Sequence, residues 1–474
     1  MRLELIGILT ILLGALCMRL GIRTSYIVQV SLTLLAASAA FLVGGNTIQP
    51  SYVFMVFLIG ALLMHSVEAV PIVRNLQVVL NPPHPGFWFG CFVIYSVLTA
   101  FILPRMLAGA TIIIPLGTSA YGAGASMVPL GPVSSNFSQS IYLISDFVCF
   151  ALFAAFAATR IGFDTIARAL TVFAIVNLCF VFLDIGTYYT GTQGLLGFMR
   201  NADYTMHDAG VVFGMKRIVG SFTEASFFAG ITTGITAYCG TLWIAGRNAG
   251  TNFILTLLSG GAVLLSTSST GMVGIAVIGL VLYIEAFKLA ITQRRLLSGL
   301  VVVGAPSLLF FIVLFVLVNK QLAYTIWDYF NTLVLDKMNT DSGVERSNWN
   351  KVAFQNFFDT WGLGTGLGTV RTSNHFAALL SNVGVIGTLI FLVFAWTSLG
   401  QRRGKPGSYH SDVRAAARNG CICLLACALL VSPIVSLGFF FMILMAMASA
   451  EPEKQRAQAP LNVETRHPRY EARI

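Results

Sequence analysis

The residue that costs most to keep where it stands is Glu224, in Lys216-Arg217-Ile-Val-Gly-Ser-Phe-Thr-Glu224-Ala-Ser226, immediately before a long apolar run. A carboxylate at the start of an apolar helix is tolerated when it is paired or faces a wet cavity. Glu224 is therefore either a structural partner of Arg217 or a working acid. Partial desolvation makes a carboxylate a better proton acceptor, which makes Glu224 the candidate general base. A second group follows later: Arg346, the run Gly362-Leu-Gly-Thr-Gly-Leu-Gly368, Arg371 and His375. Arginine offers a planar fork of N–H donors that matches phosphate oxygens in pairs, a geometry lysine does not copy.

Arg346 follows Ser342-Gly-Val-Glu345, a capping-box pattern that starts a helix, and places a cation in its first turn. Its partner is Glu345 or a phosphate-bearing ligand. The glycine run lacks the preceding strand and the spacing of a dinucleotide fingerprint. It predicts a turn back toward the membrane and a close backbone approach to a ligand. Arg371 and His375 then stand at the mouth of the next apolar stretch, where Arg371 either meets that ligand or snorkels to lipid phosphate, and His375 is the reserve base. Trp349, Ala353, Phe354, Phe357, Phe358 and Trp361 recur at helical spacing, predicting an amphipathic helix at a membrane interface. Trp349, Trp327 and Tyr329 are candidates for stacking on sugar rings, with interfacial anchoring as the alternative. Arg200 and His207 are weaker candidates for sugar contacts. No grouping of acids, histidines or cysteines has the spacing of a metal site, and no cofactor is expected.

These residues have to be carried by membrane helices. The chain has 474 residues, 56% hydrophobic and 10% charged, against roughly 25% charged in a soluble domain. Apolar stretches of about 20 residues recur along it, as bilayer-crossing helices require. The expected fold is an all-α polytopic membrane bundle over 1–450 with about 12–14 spans. They lie near 5–20, 26–44, 51–67, 86–103, 140–159, 167–184, 223–245, 252–267, 271–290, 297–318, 376–399, 415–433 and 436–450, the last two divided at Ser432-Pro433. Basic residues at Arg19 and Arg23, Arg74, Arg160, Arg247, Arg294 and Arg295, and Arg402 to Arg418 fall in every second connection, which makes those loops cytoplasmic. The polar tail 451–474 is then cytoplasmic and disordered. The long connections, 104–139, 185–222 and 319–375, come out together on the other face. The net charge of +10 is scattered between spans, which points to topology and anionic lipid rather than nucleic acid.

Taken in order, Arg217-Ile-Val-Gly-Ser-Phe-Thr-Glu224-Ala-Ser226, the Ser/Thr patch Ser266 to Gly271, and the stretch from Arg346 through Gly364-Thr-Gly-Leu-Gly368, Arg371 and Gly384-Val-Ile-Gly387 resemble the O-antigen polymerase and ligase superfamily. The likeness is greatest to its exopolysaccharide repeat-unit polymerases of Wzy type, and covers about residues 210–390. The resemblance implies a C-type glycosyltransferase fold in a bacterial inner membrane, with its site facing the periplasm. It implies a metal-independent, inverting transfer between oligosaccharides carried on undecaprenyl diphosphate, with a chain-length regulator as a partner. Glu224-Ala-Ser226 replaces the family's usual Glu-Pro-Ser, and Asn374-His375 reverses the order of a ligase His and Asn, which counts against the ligase. Under this reading Arg217, Arg346 and Arg371 hold the diphosphate, Glu224 or His375 takes the proton, and Arg200, His207 and Trp349 contact sugar. The alternatives are a ligase that moves finished polymer to another acceptor and a lipid-linked oligosaccharide flippase.

Overall fold

The computed structural model describes residues 2–43, 46–121, 126–202, 206, 210–212, 214–336 and 340–454. His207 and the tail from 455 lie outside the described residues. The chain is an all-α, multi-pass membrane bundle. Among the described residues eight helices are long and apolar enough to cross a bilayer: Pro85–Met106 (which we call α5), Ser135–Ala157 (α6), Arg160–Tyr189 (α7), Ala225–Ile244 (α8), Ser269–Gln293 (α10), Leu296–Val318 (α11), His375–Gly400 and Tyr409–Val431 (α15). Shorter apolar helices are Leu5–Leu20 (α1), Ala249–Leu265 (α9) and Gly438–Ser449 (α16).

Two expected spans are corrected. The stretch 26–44 is only the helix Ile22–Leu32 (α2) followed by buried, irregular chain and the strand Phe41–Val43. That chain is sewn to the second long connection: Ser38 Oγ donates to Met199 O at 2.5 Å, Ala39 N to Asn201 Oδ1 at 2.9 Å, and Ser221 Oγ to Leu34 O at 2.7 Å. The stretch 51–67 is Pro50–Met64 (α3), which turns by 111° into a further helix, Ser66–Leu80 (α4), where only a loop was expected. Together these two have the length and apolarity of one span, bent sharply between its halves.

Helix His375–Ala395 (α14), the core of the seventh long helix, is broken at Gly384, whose φ is +65°. His375 and Phe391 are sixteen residues apart, about 24 Å along a straight helix. Their rings lie 5.5 Å apart. The chain therefore folds back on itself at Gly384, and His375 is carried down into the bundle.

Helix α16 is also seated inside. Every residue from Phe439 to Ala448 is buried, so the helix is apolar all round, as a central helix must be. Phe440 stacks on Phe173 at 4.3 Å. The division expected at Ser432-Pro433 is present, since α15 ends at Val431 and α16 starts at Gly438. A buried helix start needs partners for its free N–H groups. Asp146, fully buried halfway along α6, stands beside that start and accepts from Ser436 Oγ at 2.5 Å.

The basic connections meet at one end of the bundle, where Asp412 accepts from Arg247 at 2.8 Å and Arg295 at 2.9 Å. The three long connections meet at the other.

Candidate functional site at the junction of the three long loops

The second connection is anchored by a residue the sequence reading passed over. Asp184, 0% exposed near the end of α7, accepts from Arg200 Nη2 and Lys216 Nζ, both at 2.6 Å, and from the N–H groups of Val219 at 2.9 Å and Gly220 at 3.0 Å. Both oxygens of the carboxylate are thereby satisfied. The signal was available, because an acid inside an apolar stretch is a candidate by default. Arg200, expected at the sugar, is instead held inside the protein: Asp184 and Gly220 O take its Nη2, and its side chain is 5% exposed.

This hub fixes the backbone on both sides of Arg217 and leaves the guanidinium unbonded. No hydrogen bond joins it to a described residue, and its Nε is buried without a partner. Burial pushes Arg217 below its ordinary pKa, Arg346 adds to that effect, and Glu224 and Tyr329 oppose it. Those three side chains are thus its neighbours. Tyr329, on Lys320–Phe330 (α12), also reaches Leu264 O at 3.4 Å, at the end of α9 beside the Ser/Thr patch.

Glu224 is the N-cap residue of α8, but its side chain does not cap. It accepts from Ser226 Oγ instead and turns its other oxygen to Arg346 Nη2 at 3.8 Å. Side-chain exposure is 34% for Glu224 and 32% for Arg346. A pair that long and that wet is worth roughly 0.2–1 kcal/mol. A charge-assisted hydrogen bond contributes about 1.5–3 kcal/mol, so an arriving oxyanion outcompetes Glu224 for Arg346.

Arg346 belongs to Asp341–Asp359 (α13), and here two expectations change. The cap is Thr340, which accepts from Gly343 N at 3.2 Å, and not Ser342. The helix starts earlier than expected, so Arg346 stands in its second turn, beyond the reach of the terminal dipole. On α13, Ala353 is buried in a cluster with Ile113, Val128, Leu130, Val133 and Val370, while Phe358 is 72% exposed and Trp361, just past the helix, 90%.

One turn after Arg346, Trp349 lies under the Arg371 guanidinium at 5.2 Å. Arg371 is placed by the glycine loop, whose role also differs from expectation. Gly362, Gly364, Gly366 and Gly368 all have positive φ, but the close approach they allow is to the protein's own backbone. A Cβ on Gly364 would meet Gly384 N at 2.7 Å, one on Gly366 would meet Thr99 O at 2.6 Å, and one on Gly368 would meet Ser135 O at 2.7 Å. Asn382 Oδ1 accepts from Thr369 N and Val370 N at 3.0 and 3.1 Å, and Asn136 Nδ2 donates to Leu367 O at 2.7 Å. Arg371 N then donates to Ile114 O at 2.9 Å, which locks the first and third connections together. His375, expected at the mouth, is 2% exposed. Its Nδ1 lies 3.3 Å from Ile434 O, so it faces the chain before α16 and stands apart from the loop-junction arginines.

Neither a family model, a curated protein nor a solved structure matches this chain. The functional reading therefore rests on the site's own chemistry and on the motif likeness. Glu224, Arg217 and Arg346 come from two different connections and gather in a partly exposed cluster. Trp349 stands one helical turn after Arg346 on α13, with Arg371 over its ring. The cluster offers unbonded guanidinium donors for an oxyanion, a carboxylate oxygen for a proton, and an aromatic face.

Proposed function

We propose that the protein is a membrane glycosyltransferase of the C-type fold that joins oligosaccharide repeat units carried on undecaprenyl diphosphate at the periplasmic face of the bacterial inner membrane. The observation that supports this most is Glu224 paired with Arg346 and close to Arg217, two arginines whose side chains make no hydrogen bond among the described residues. A base beside a diphosphate clamp is what such a transfer needs. In the reaction a hydroxyl oxygen of one lipid-linked repeat attacks C1 of the sugar on a second carrier. The bond from C1 to the diphosphate oxygen breaks, its electrons leave on the diphosphate, and the anomeric centre inverts. Glu224 Oε2 accepts the hydroxyl proton. Arg217 and Arg346 neutralise the charge that grows on the leaving oxygen, where donors aimed at the transition state act most strongly.

A strain lacking the protein tests the class. It should make no polymer and accumulate single repeats on the lipid carrier, reachable from the periplasm. Single repeats confined to the cytoplasmic leaflet would favour a flippase, and full-length polymer left on its carrier would favour a ligase.

A further inference from the structure

The three arginines are not one group. Arg217 has Glu224 and Arg346 as charged neighbours, whereas Arg371 is seated over the Trp349 ring. Arg346 has Glu224 as a partner, whereas among the described residues Arg371 has no carboxylate, and its Nε is buried without a hydrogen bond. Its backbone is nonetheless held firmly, through Ile114 O and the bridge between Pro115 and Val370. Its guanidinium lies over the Trp349 ring, with the planar fork still free. A cation fixed by backbone and ring, partly desolvated and without a counter-charge, is built to receive one.

We infer that Arg371 and Trp349 form a second oxyanion site, separate from the Arg217 and Arg346 clamp, and that it receives the acceptor molecule. This rests on the proposed transfer between two lipid-linked oligosaccharides, which brings two carriers to one cleft. The recognised chemistry is a pair of coplanar anionic oxygens. They come either from the acceptor's own diphosphate or from a carboxylate on its sugars, and Trp349 supplies the apolar face beside them. Glu224 then stands at the clamp end of the cleft, and the acceptor reaches it from the Arg371 side.

The experiment is calorimetric titration of the full-length protein in lipid nanodiscs, with farnesyl diphosphate as one probe and glucuronate as the other. For an acceptor diphosphate, the wild type binds two farnesyl diphosphates per chain, Arg371→Gln binds one, and Arg217→Gln also retains one. For an acidic sugar, the wild type binds one farnesyl diphosphate and one glucuronate, and only the glucuronate is lost in Arg371→Gln. Arg371→Lys keeps the charge without the fork and should weaken the second site on the order of tenfold. Trp349→Leu should weaken the same site and spare the first, which serves as the check if Arg371→Gln unfolds. The inference is overturned if the wild type binds a single anion that Arg217→Gln and Arg371→Gln each abolish, or if Arg371→Gln and Trp349→Leu leave all binding unchanged. Two bound anions in a protein that makes no polymer from lipid-linked repeats would sink the proposed reaction and leave this site standing.

Discussion

At the scale of single residues, the division that matters is between arginines already committed to the protein and arginines left open. Arg200 and Arg217 are close in sequence and alike in composition, yet Asp184 and Gly220 O hold the first and nothing described holds the second. Breaking a buried ion pair by removing one partner costs about 3–5 kcal/mol. Asp184→Ala should therefore lower stability by about that amount, read as a loss of the folded, detergent-soluble fraction on heating. Arg217→Gln should leave stability near wild type while removing activity. Arg217→Lys and Arg346→Lys, which keep charge and lose the fork, should each lower the turnover about 10² to 10³-fold, measured as polymer formed at matched amounts of folded protein. Equal stability losses in Asp184→Ala and Arg217→Gln would mean that Arg217 is structural as well. The sequence made Glu224, Arg217 and Arg346 legible because charge at the edge of an apolar run is conspicuous. It did not distinguish a free arginine from a bound one, since that depends on an acid sixteen residues from Arg200 in the chain.

At the scale of elements, the site is held by irregular chain inside a helical bundle. Such chain survives at membrane depth only when its own backbone groups are satisfied, and here Asn382, Asn136 and Ser135 bond to them. Gly384 is the least replaceable position. Its φ is +65°, and a Cβ there would meet Leu363 O at 2.3 Å and Gly362 O at 2.5 Å. Gly384→Ala combines a left-handed backbone with a clash against rigid carbonyls, so its cost should exceed the ~1 kcal/mol of an ordinary glycine replacement. Activity should fall with it, because Gly362–Gly368 sets where Arg371 stands. Gly304→Ala, on α11 with nothing within 4 Å of its Cβ, is the matching control and should be neutral. Apolar length placed most of the long helices correctly. It missed α4, the shortness of α2 and the reversal within α14, because hydropathy records burial, and a buried loop packed against its neighbours reads the same as a span.

At the scale of the whole molecule, the account requires the three long connections on one face and the arginine-rich ones on the other. Reporters fused after Arg403 should read cytoplasmic, and those inserted at Ser342 should read periplasmic. A cytoplasmic signal at Ser342 would remove the lipid-linked periplasmic substrate from reach of Glu224. The most direct measurement is polymer formation from purified lipid-linked repeat units by the purified protein, with Glu224→Gln at matched amounts beside it. Glu224→Gln keeps the size and hydrogen bonding of the side chain and removes the proton acceptor. The account predicts polymer from the wild type, none from Glu224→Gln, and binding of farnesyl diphosphate by Glu224→Gln at least as tight as by the wild type. Polymerisation by Glu224→Gln at the wild-type rate, or no polymer from a folded wild type given lipid-linked repeats, would contradict it.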